Sequence, residues 1–355
     1  MGPVAHGLAA RGGRPTLVLT GQHPGLRPED FGLGGLPVVR LGCPGESDPH
    51  RHVRKVRDAL QPMLRGGPDL LVVQGDTSSA LGGALAAFRA NVPVAHVEAG
   101  LRTHDSTLPW PEETYRVAID AGADLLFAPT EMAAANLRFE QLAGEVHVTG
   151  NTGIDALLAV ERTLPSPTLR DSAVPRLLVT CHRRESWGAG IRSIASAIKQ
   201  IGADRAVHID VVLHPNPELA ETMRGALEGQ RNIALIGPTG HSDLLARMRD
   251  CDLVLSDSGG IQEEAPTLGT PLLVLREKTE RPEGIASGNA RLVGTSAERI
   301  VAEARSLLDD PVARSAMMRR SFPFGDGRAG ARIAALIEDW LERRAKGADR
   351  LAIGG

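Results

Sequence analysis

The stretch "DLVLSDSGGIQEEAP" (252–266) decides the fold. A short continuous apolar run, DLVLS, reads as a strand. A Ser-Asp-Ser-Gly-Gly turn ends it, and a helix is expected from about Ile261. Strand, polar turn and helix in immediate succession form the repeating unit of a parallel sheet with helices on both faces. In open sheets of this kind, ligands bind outside the carboxyl ends of the strands. Ser258, Gly259 and Gly260 lie where backbone N–H groups at a helix start hold phosphate. Two adjacent carboxylates, Glu263 and Glu264, follow within the first turns and would repel a bare phosphate. The conflict disappears if the ligand also carries a vicinal diol, whose two hydroxyls a carboxylate accepts. A nucleoside diphosphate supplies both halves.

The same unit recurs on either side. Strands are expected at TLVLT (16–20), DLLVVQ (69–74), VPVAHV (92–97), DLLFAP (124–129) and EVHVTG (145–150). They are expected again at RLLVTC (176–181), VHIDVVL (207–213), NIALIG (232–237) and PLLVL (271–275). Between the two sets, "ERTLPSPTLRDSAVP" (161–175) holds three prolines and no long apolar period, and reads as a linker. The expected architecture is α/β: two doubly wound, Rossmann-like domains, 1–160 and 176–328, facing across a cleft. A last amphipathic helix, 329–345, places Ile333, Leu336, Ile337, Trp340 and Leu341 on one face. The pattern alone does not say which domain that face covers; the N-terminal one is the expectation.

Composition narrows the function classes. The 355 residues are 42% hydrophobic, 23% charged and only 3% aromatic, so the core is built from Ala, Val, Leu and Ile. A net charge of −3 with scattered Lys and Arg gives no footprint for nucleic acid. Cys43, Cys181 and Cys251 form neither a disulfide framework nor a CxxC metal pattern. No leader opens the chain and no apolar run of about 20 residues appears, so a soluble cytoplasmic protein without membrane partners is expected. No GxGxxG follows the first strands, so a dinucleotide cofactor has no fingerprint, no Walker lysine is present either, and no cofactor is expected.

Polar residues just after strands are the candidates. Asp76 follows 69–74; read alone, it is a helix N-cap. Glu98 ends the strand 92–97 before Ala-Gly, a poor place for a structural ion pair. "PWPEETYR" (109–116) adds Glu112 and Arg116, with Glu113 read as a solvated neighbour. Carboxylates gathered in this way raise one another's pKa values, which suits proton transfer near neutral pH. In the second half, His182 followed by Arg183 and Arg184 reads as an anion site with an acid, and His214 ends the next strand. The two histidines could ligate a metal, but the adjacent positive charge argues against it and no metal is expected. Thr279, Glu280, Arg281 and Glu283 form a further charged loop, with a solvated loop as the plain alternative.

Taken together, these strings resemble the UDP-N-acetylglucosamine 2-epimerase family in its bacterial, non-hydrolysing form. The matching segments are QGDTSSALGGALAA, PVAHVEAGLRT, PWPEETYR, HRRESWG, HPNP, SDSGGIQEEAPTLGTPLLVLREKTERPEG and PFGDGRA, spread over nearly the whole chain. The resemblance implies a glycosyltransferase-B-like fold, a homodimer, and interconversion of UDP-GlcNAc, or a derivative of it, and UDP-ManNAc without cofactor. UDP would be eliminated to a 2-acetamidoglucal and added back with inversion at C2. By motif position, Asp76, Glu98 and Glu112 would handle the C2 proton and sugar hydroxyls, supported by Arg116, and His182 would assist departure of UDP. Ser258, Gly259 and Gly260 would hold phosphate, Glu264 the ribose, and Arg281 the charged end of the cleft. His214 and Leu244 would complete the UDP site.

The chain also departs from the family pattern. It opens at "MGPVAHGLAARG", which corresponds to the helix after the family's first strand and "GTRPE" loop. The expectation is a parallel sheet lacking its central strand, and a less stable first domain. Tyr115 and Ser186 stand at family asparagines, and Leu244 at a phenylalanine that lines the uracil pocket. "TGQHPGL" keeps Gln22 and His23 of a second, regulatory UDP-GlcNAc site but has Gly25 at its later glutamine. Three alternatives stay open: a hydrolysing epimerase releasing ManNAc and UDP, a glycosyltransferase, and an inert UDP-sugar-binding protein.

Overall fold

Each apolar run of four to six residues forms a strand, and the helix-period stretches between them form helices. The computed structural model describes residues 1–23, 25–166, 174–181, 188–204 and 206–353. In order, the first part holds α1 (Gly2–Ala10), β1 (Leu17–Leu19), a 3-10 turn (Pro28–Phe31), β2 (Val38–Arg40), α2 (Pro49–Leu64), β3 (Leu71–Gln74), α3 (Ser78–Ala90), β4 (Val94–Val97), α4 (Glu112–Gly122), β5 (Leu125–Ala128), α5 (Glu131–Phe139), β6 (Glu145–Val148) and α6 (Thr152–Glu161). There follow β7 (Arg176–Thr180), α7 (Ala189–Asp204), β8 (His208–Val212), α8 (Pro217–Leu227), β9 (Ile233–Ile236), α9 (His241–Asp250), β10 (Leu253–Ser256), α10 (Gly259–Leu268), β11 (Leu272–Val274), α11 (Glu283–Ala286), β12 (Ala290–Leu292), α12 (Ala297–Asp309), α13 (Pro311–Met317) and α14 (Ala329–Ile353). The strands β2 and β12 were not expected. Each is only three residues long, and none of the residues of β2 is fully buried, so no continuous apolar run marks it.

The chain forms two compact units, Met1–Ala156 with Gly325–Gly355, and Leu157–Phe324. The crossing falls inside α6 rather than after residue 160, and the chain returns at Gly325. Most of the proposed linker, residues 167–173, lies outside the described residues.

In the first unit, β3-β4-β5-β6 make one parallel sheet, and β1-β2 make a separate parallel pair. The strands therefore do not join into one continuous sheet. β4 and β5 are buried along their whole length, whereas the residues of β1 are all half-buried. Alternation along the central strands sends Ala95, Val97, Leu125 and Phe127 to one face and Val94, Leu126 and Ala128 to the other. On the first face, Val4 of α1 and Ile333, Ile337 and Trp340 of α14 complete the core, with Leu336 and Leu341 packed at its edge. On the second face, Val53 and Leu60 of α2, Ala84 and Ala87 of α3 and Ile119 of α4 do so. The start of α14 is fixed by Asp155, which accepts from the amides of Ala329 (3.1 Å) and Gly330 (2.8 Å).

The second unit is a single parallel sheet in the order β12-β11-β10-β7-β8-β9. The chain winds outward from β7 through β8 to β9, returns to β10 beside β7, and winds the other way. The strand order thus reverses between β7 and β10. The crevice at such a switch point is where this architecture holds its ligand. No helix among the described residues is long and apolar enough to cross a membrane.

Candidate active site

In the first unit, the turn after β3 begins with Gly75, whose φ of 66° is the left-handed region where glycine carries no steric penalty. Asp76 comes next, but it does not cap α3. That task falls to Thr77, whose hydroxyl accepts from Ala80 N at 3.1 Å. The carboxylate of Asp76 instead meets Arg116 of α4, accepting from Nε at 3.1 Å and, more closely, from Nη2. Arg116 is only 1% exposed and also donates to Glu113 Oε2 at 2.7 Å. Glu113 was expected to be solvated; it is buried. Its other oxygen accepts from the amides of Thr103 and His104, each at 2.9 Å. The two neighbours in "PEETYR" therefore divide: Glu112 opens α4 half-buried, while Glu113 is an internal strut.

Glu98, the first residue after β4, has φ 71°, a left-handed conformation that a glutamate rarely adopts. Its amide and that of Ala99 both donate to Phe127 O, at 3.0 and 3.1 Å, which holds the turn against the end of β5. A Cβ on Gly75 would lie 3.6 Å from Glu98 Oε2, so the turns bearing Asp76 and Glu98 are adjacent. Backbone strain of about 1–3 kcal/mol at a carboxylate persists only where the surroundings over-determine it, and such positions gather at functional sites. Asp76, Glu98 and Arg116 are thus brought to neighbouring strand and helix ends. Gln22, after β1, accepts from Ser79 Oγ of α3 at 2.6 Å, while His23 is exposed. Tyr115 is buried, and its hydroxyl lies 3.1 Å from His50 Nδ1.

In the second unit, the helix after β10 begins at Gly259 rather than near Ile261, so both glycines belong to its first turn. Ser258 is its N-cap residue, and no side-chain capping bond occupies its hydroxyl. Its amide donates to Ser256 Oγ at 3.0 Å, and Ser256 Oγ lies 2.7 Å from Thr180 Oγ1 across the switch point. First-turn amides at a helix start such as that of α10 are chemically suited to an anion.

The two glutamates divide again. Glu263 is buried and accepts from Arg281 Nε at 2.5 Å. Arg281 was assigned to the charged end of the site and its loop was given a solvated alternative. The side chain is instead buried, with Nη1 held close to Glu280, which also meets Arg276 Nη1 at 3.1 Å. Arg281 therefore positions the loop and neutralises Glu263 rather than presenting a charge. Glu264 faces the other way, half-buried, 2.8 Å from His241 Nε2. That hydrogen bond raises the pKa of His241, outweighing burial. The two carboxylates of α10 are thus compensated, one by an internal arginine and one by a histidine.

His214 accepts the amide proton of Asn216 at Nδ1, 2.8 Å away, which leaves Nε2 as the donor. Burial pushes its pKa down against the attraction of Asp257. Leu244 lies half-buried in the first turn of α9, close in sequence to His241. His182, with Arg183, Arg184 and Ser186, lies outside the described residues. The sequence reading passed over His241, although it stands at a helix start just after β9, where the strand-end rule applies. It also passed over His96 and Asp120, whose signal is a polar residue on an otherwise apolar face.

Two Rossmann-like units, each wound around parallel strands with polar residues at the carboxyl ends, define a protein of the glycosyltransferase-B class. MurG of Acinetobacter baumannii, 13% identical with a TM-score of 0.58 over 95% of this chain and 94% of that one, shares the fold. The family model described as UDP-N-acetylglucosamine 2-epimerase matches residues 8–338, and the chain belongs to that family. The UDP-N-acetylglucosamine 2-epimerase of Salmonella typhimurium is 43% identical over 300 residues, 81% of this chain and 80% of that protein. The UDP-GlcNAc 2-epimerase of Neisseria meningitidis, solved bound to UDP-GlcNAc, superposes with a TM-score of 0.89 at 33% identity, over 96% of each chain.

Proposed function

We propose that the protein interconverts UDP-GlcNAc, or a close derivative, and UDP-ManNAc. A carboxylate of the first unit, from the group Asp76, Glu98 and Glu112, removes the proton at C2 of the hexose. The C1–O bond to the β-phosphate breaks, UDP departs with that bonding pair, and a C1–C2 double bond remains in a 2-acetamidoglucal. UDP then adds back at C1 while a proton is delivered to the opposite face of C2. Atoms and charge balance without an external reactant. His182 is assigned to the departing phosphate oxygen, and Arg116 keeps Asp76 oriented.

The second unit holds the nucleotide. The N terminus of α10, with Ser258, Gly259 and Gly260, takes the pyrophosphate, and Glu264 accepts the ribose hydroxyls. Leu244 and the Nε2–H of His214 belong to the same pocket. The observation that carries the reading is the paired strand-end chemistry: a compensated carboxylate cluster after β3 and β4, and a glycine-bearing helix start beside Glu264 after β10. The relative solved with UDP-GlcNAc supports the nucleotide assignment. Gln22 and His23 are placed at a second, regulatory nucleotide-sugar site. Homodimer formation and a cytoplasmic location belong to the same reading, and analytical ultracentrifugation and cell fractionation test them.

The test of the reaction is product analysis after incubation with UDP-GlcNAc. UDP-ManNAc in equilibrium with substrate is the expected outcome. Free ManNAc with stoichiometric UDP would replace the proposal by the hydrolysing reaction, and binding without turnover would replace it by an inert sugar-nucleotide receptor.

A further inference from the structure

His96 lies in β4, two residues before Glu98, and is 0% exposed. Its ring spans two structural features. Nδ1 is 2.6 Å from Asp120 Oδ1 of α4, and Nε2 is 3.0 Å from the carbonyl of Gly75. A backbone carbonyl only accepts, so Nε2 carries a proton. Asp120 is itself committed as an acceptor: Oδ2 takes the amide of Gly100 at 3.1 Å and Arg102 Nη2 at 2.8 Å. With the Arg102 guanidinium and the Gly100 amide on Oδ2, the carboxylate is held ionised and can only accept at Oδ1, so Nδ1 carries a proton too. The ring is therefore an imidazolium, enclosed in a cluster whose charges alternate. His96 and Arg102 are positive; Asp120 and Glu140 are negative, with Glu140 taking Arg102 Nε at 2.7 Å.

The groups facing the ring are Asp120 from α4, the Gly75 carbonyl from the end of β3, and Glu98 on its own strand end; its register partners are Val73 on β3 and Leu126 on β5. Burial alone pulls the histidine pKa down, but the charge and hydrogen bond of Asp120 and the Gly75 carbonyl outweigh it and raise the value.

The position of the cluster gives it a role. Gly75 directly precedes Asp76, and Gly100 closes the turn that begins with Glu98. One proton pair on His96 thus reaches both turns, the first directly and the second through Asp120. At Gly100 the fit leaves no slack: a Cβ there would sit 2.2 Å from Ala133 O. We infer that His96 is a positioning residue, an imidazolium that locks the Asp76 and Glu98 turns together so that both carboxylates are presented in one fixed geometry. Loss of either ring proton frees the Gly75 carbonyl or strips Asp120 Oδ1 of its donor, and the Asp76 turn relaxes.

The inference rests on the epimerase reading for its effect on turnover, but not for the charge of the ring. Two measurements keep these apart. Nitrogen chemical shifts of histidine-labelled wild-type protein report the ring directly, and the signals missing from His96→Gln assign it. Both nitrogens of the histidine so assigned at protonated values, unchanged from about pH 6 to about pH 8, are expected. A set of histidines in which every ring is neutral by about pH 8 overturns the inference whether or not the protein is an epimerase. His96→Gln and Asp120→Asn then test the positioning role. Both are expected to lower kcat at least about tenfold while KM for UDP-GlcNAc changes less than about twofold, because the nucleotide is bound elsewhere. Unchanged kcat in both variants, or a loss confined to KM, overturns the role. If wild-type protein shows no epimerisation, the reaction assignment fails and the shift measurement still decides the charge.

Discussion

Replacing Arg116 by Met removes the cation on which the first-unit site is built. Its length and apolar stem fill most of the space, so the main loss is charge rather than volume. The wild-type Arg116 side chain is 2% exposed and serves two carboxylates. Removing one partner of a buried pair costs about 3–5 kcal/mol, because the remaining charge is stranded. Two features place this case at the lower end. Glu113 keeps the two backbone amides of Thr103 and His104, and the side chain of Asp76 is 26% exposed and can be hydrated. A loss of about 3 kcal/mol is expected. Urea unfolding followed by tryptophan fluorescence measures it, and Trp110 and Trp340 both lie in the first unit. Adding Glu113→Gln should recover part of the loss, with a coupling of about 1–3 kcal/mol, since a stranded carboxylate is then neutral. A loss below about 1 kcal/mol for Arg116→Met, the size of an exposed ion pair, would refute the buried strut.

Other outcomes follow from the same geometry. Asp76→Asn and Glu112→Gln should each lower turnover by about 100-fold, and unchanged turnover in both removes the acid–base role. Glu264→Ala should weaken UDP binding by about tenfold, through the loss of a charged hydrogen-bond acceptor; an unaltered calorimetric Kd removes the ribose assignment. The raised pKa of His96 makes stability pH-dependent. The folded state binds its proton more tightly than the unfolded chain, so the contribution is complete below the unfolded value of about 6.5. It is lost progressively as pH rises through the folded value. Wild-type unfolding midpoints should therefore fall as pH rises through that folded value, relative to His96→Gln, and parallel pH profiles would contradict the assignment.

Much of the architecture was legible because parallel strands buried on both faces must be continuous apolar runs. DLLFAP and DLVLS could be read only as strands, and both hold fully buried ones, β5 and β10. The three-residue β2 and β12 escaped because so short a strand leaves too few apolar residues to set a period. For the candidate site, position relative to strand ends singled out Asp76, Glu98 and Ser258, since polar turns after apolar runs stand out. What each side chain touches was not legible. Capping by Asp76 or by Thr77 differs by one residue, and either has the chemistry to cap. Glu112 and Glu113 look alike in sequence, yet helix geometry turns one of them inward towards Arg116, three residues on. Arg281 looked like a ligand-facing cation because its partner Glu263 is distant in sequence and only the fold brings them together. His96 and Asp120 were missed for the same reason: they pair across a strand and a helix 24 positions apart.

Proton NMR of the purified protein with UDP-GlcNAc in heavy water tests the central claim most directly. Removal and return of a proton at C2 must replace it by deuterium, so the C2 proton signal should fade as UDP-ManNAc appears, and Asp76→Asn should slow both together. UDP-ManNAc formed with its C2 proton retained, or no product and no exchange at all, would contradict the account.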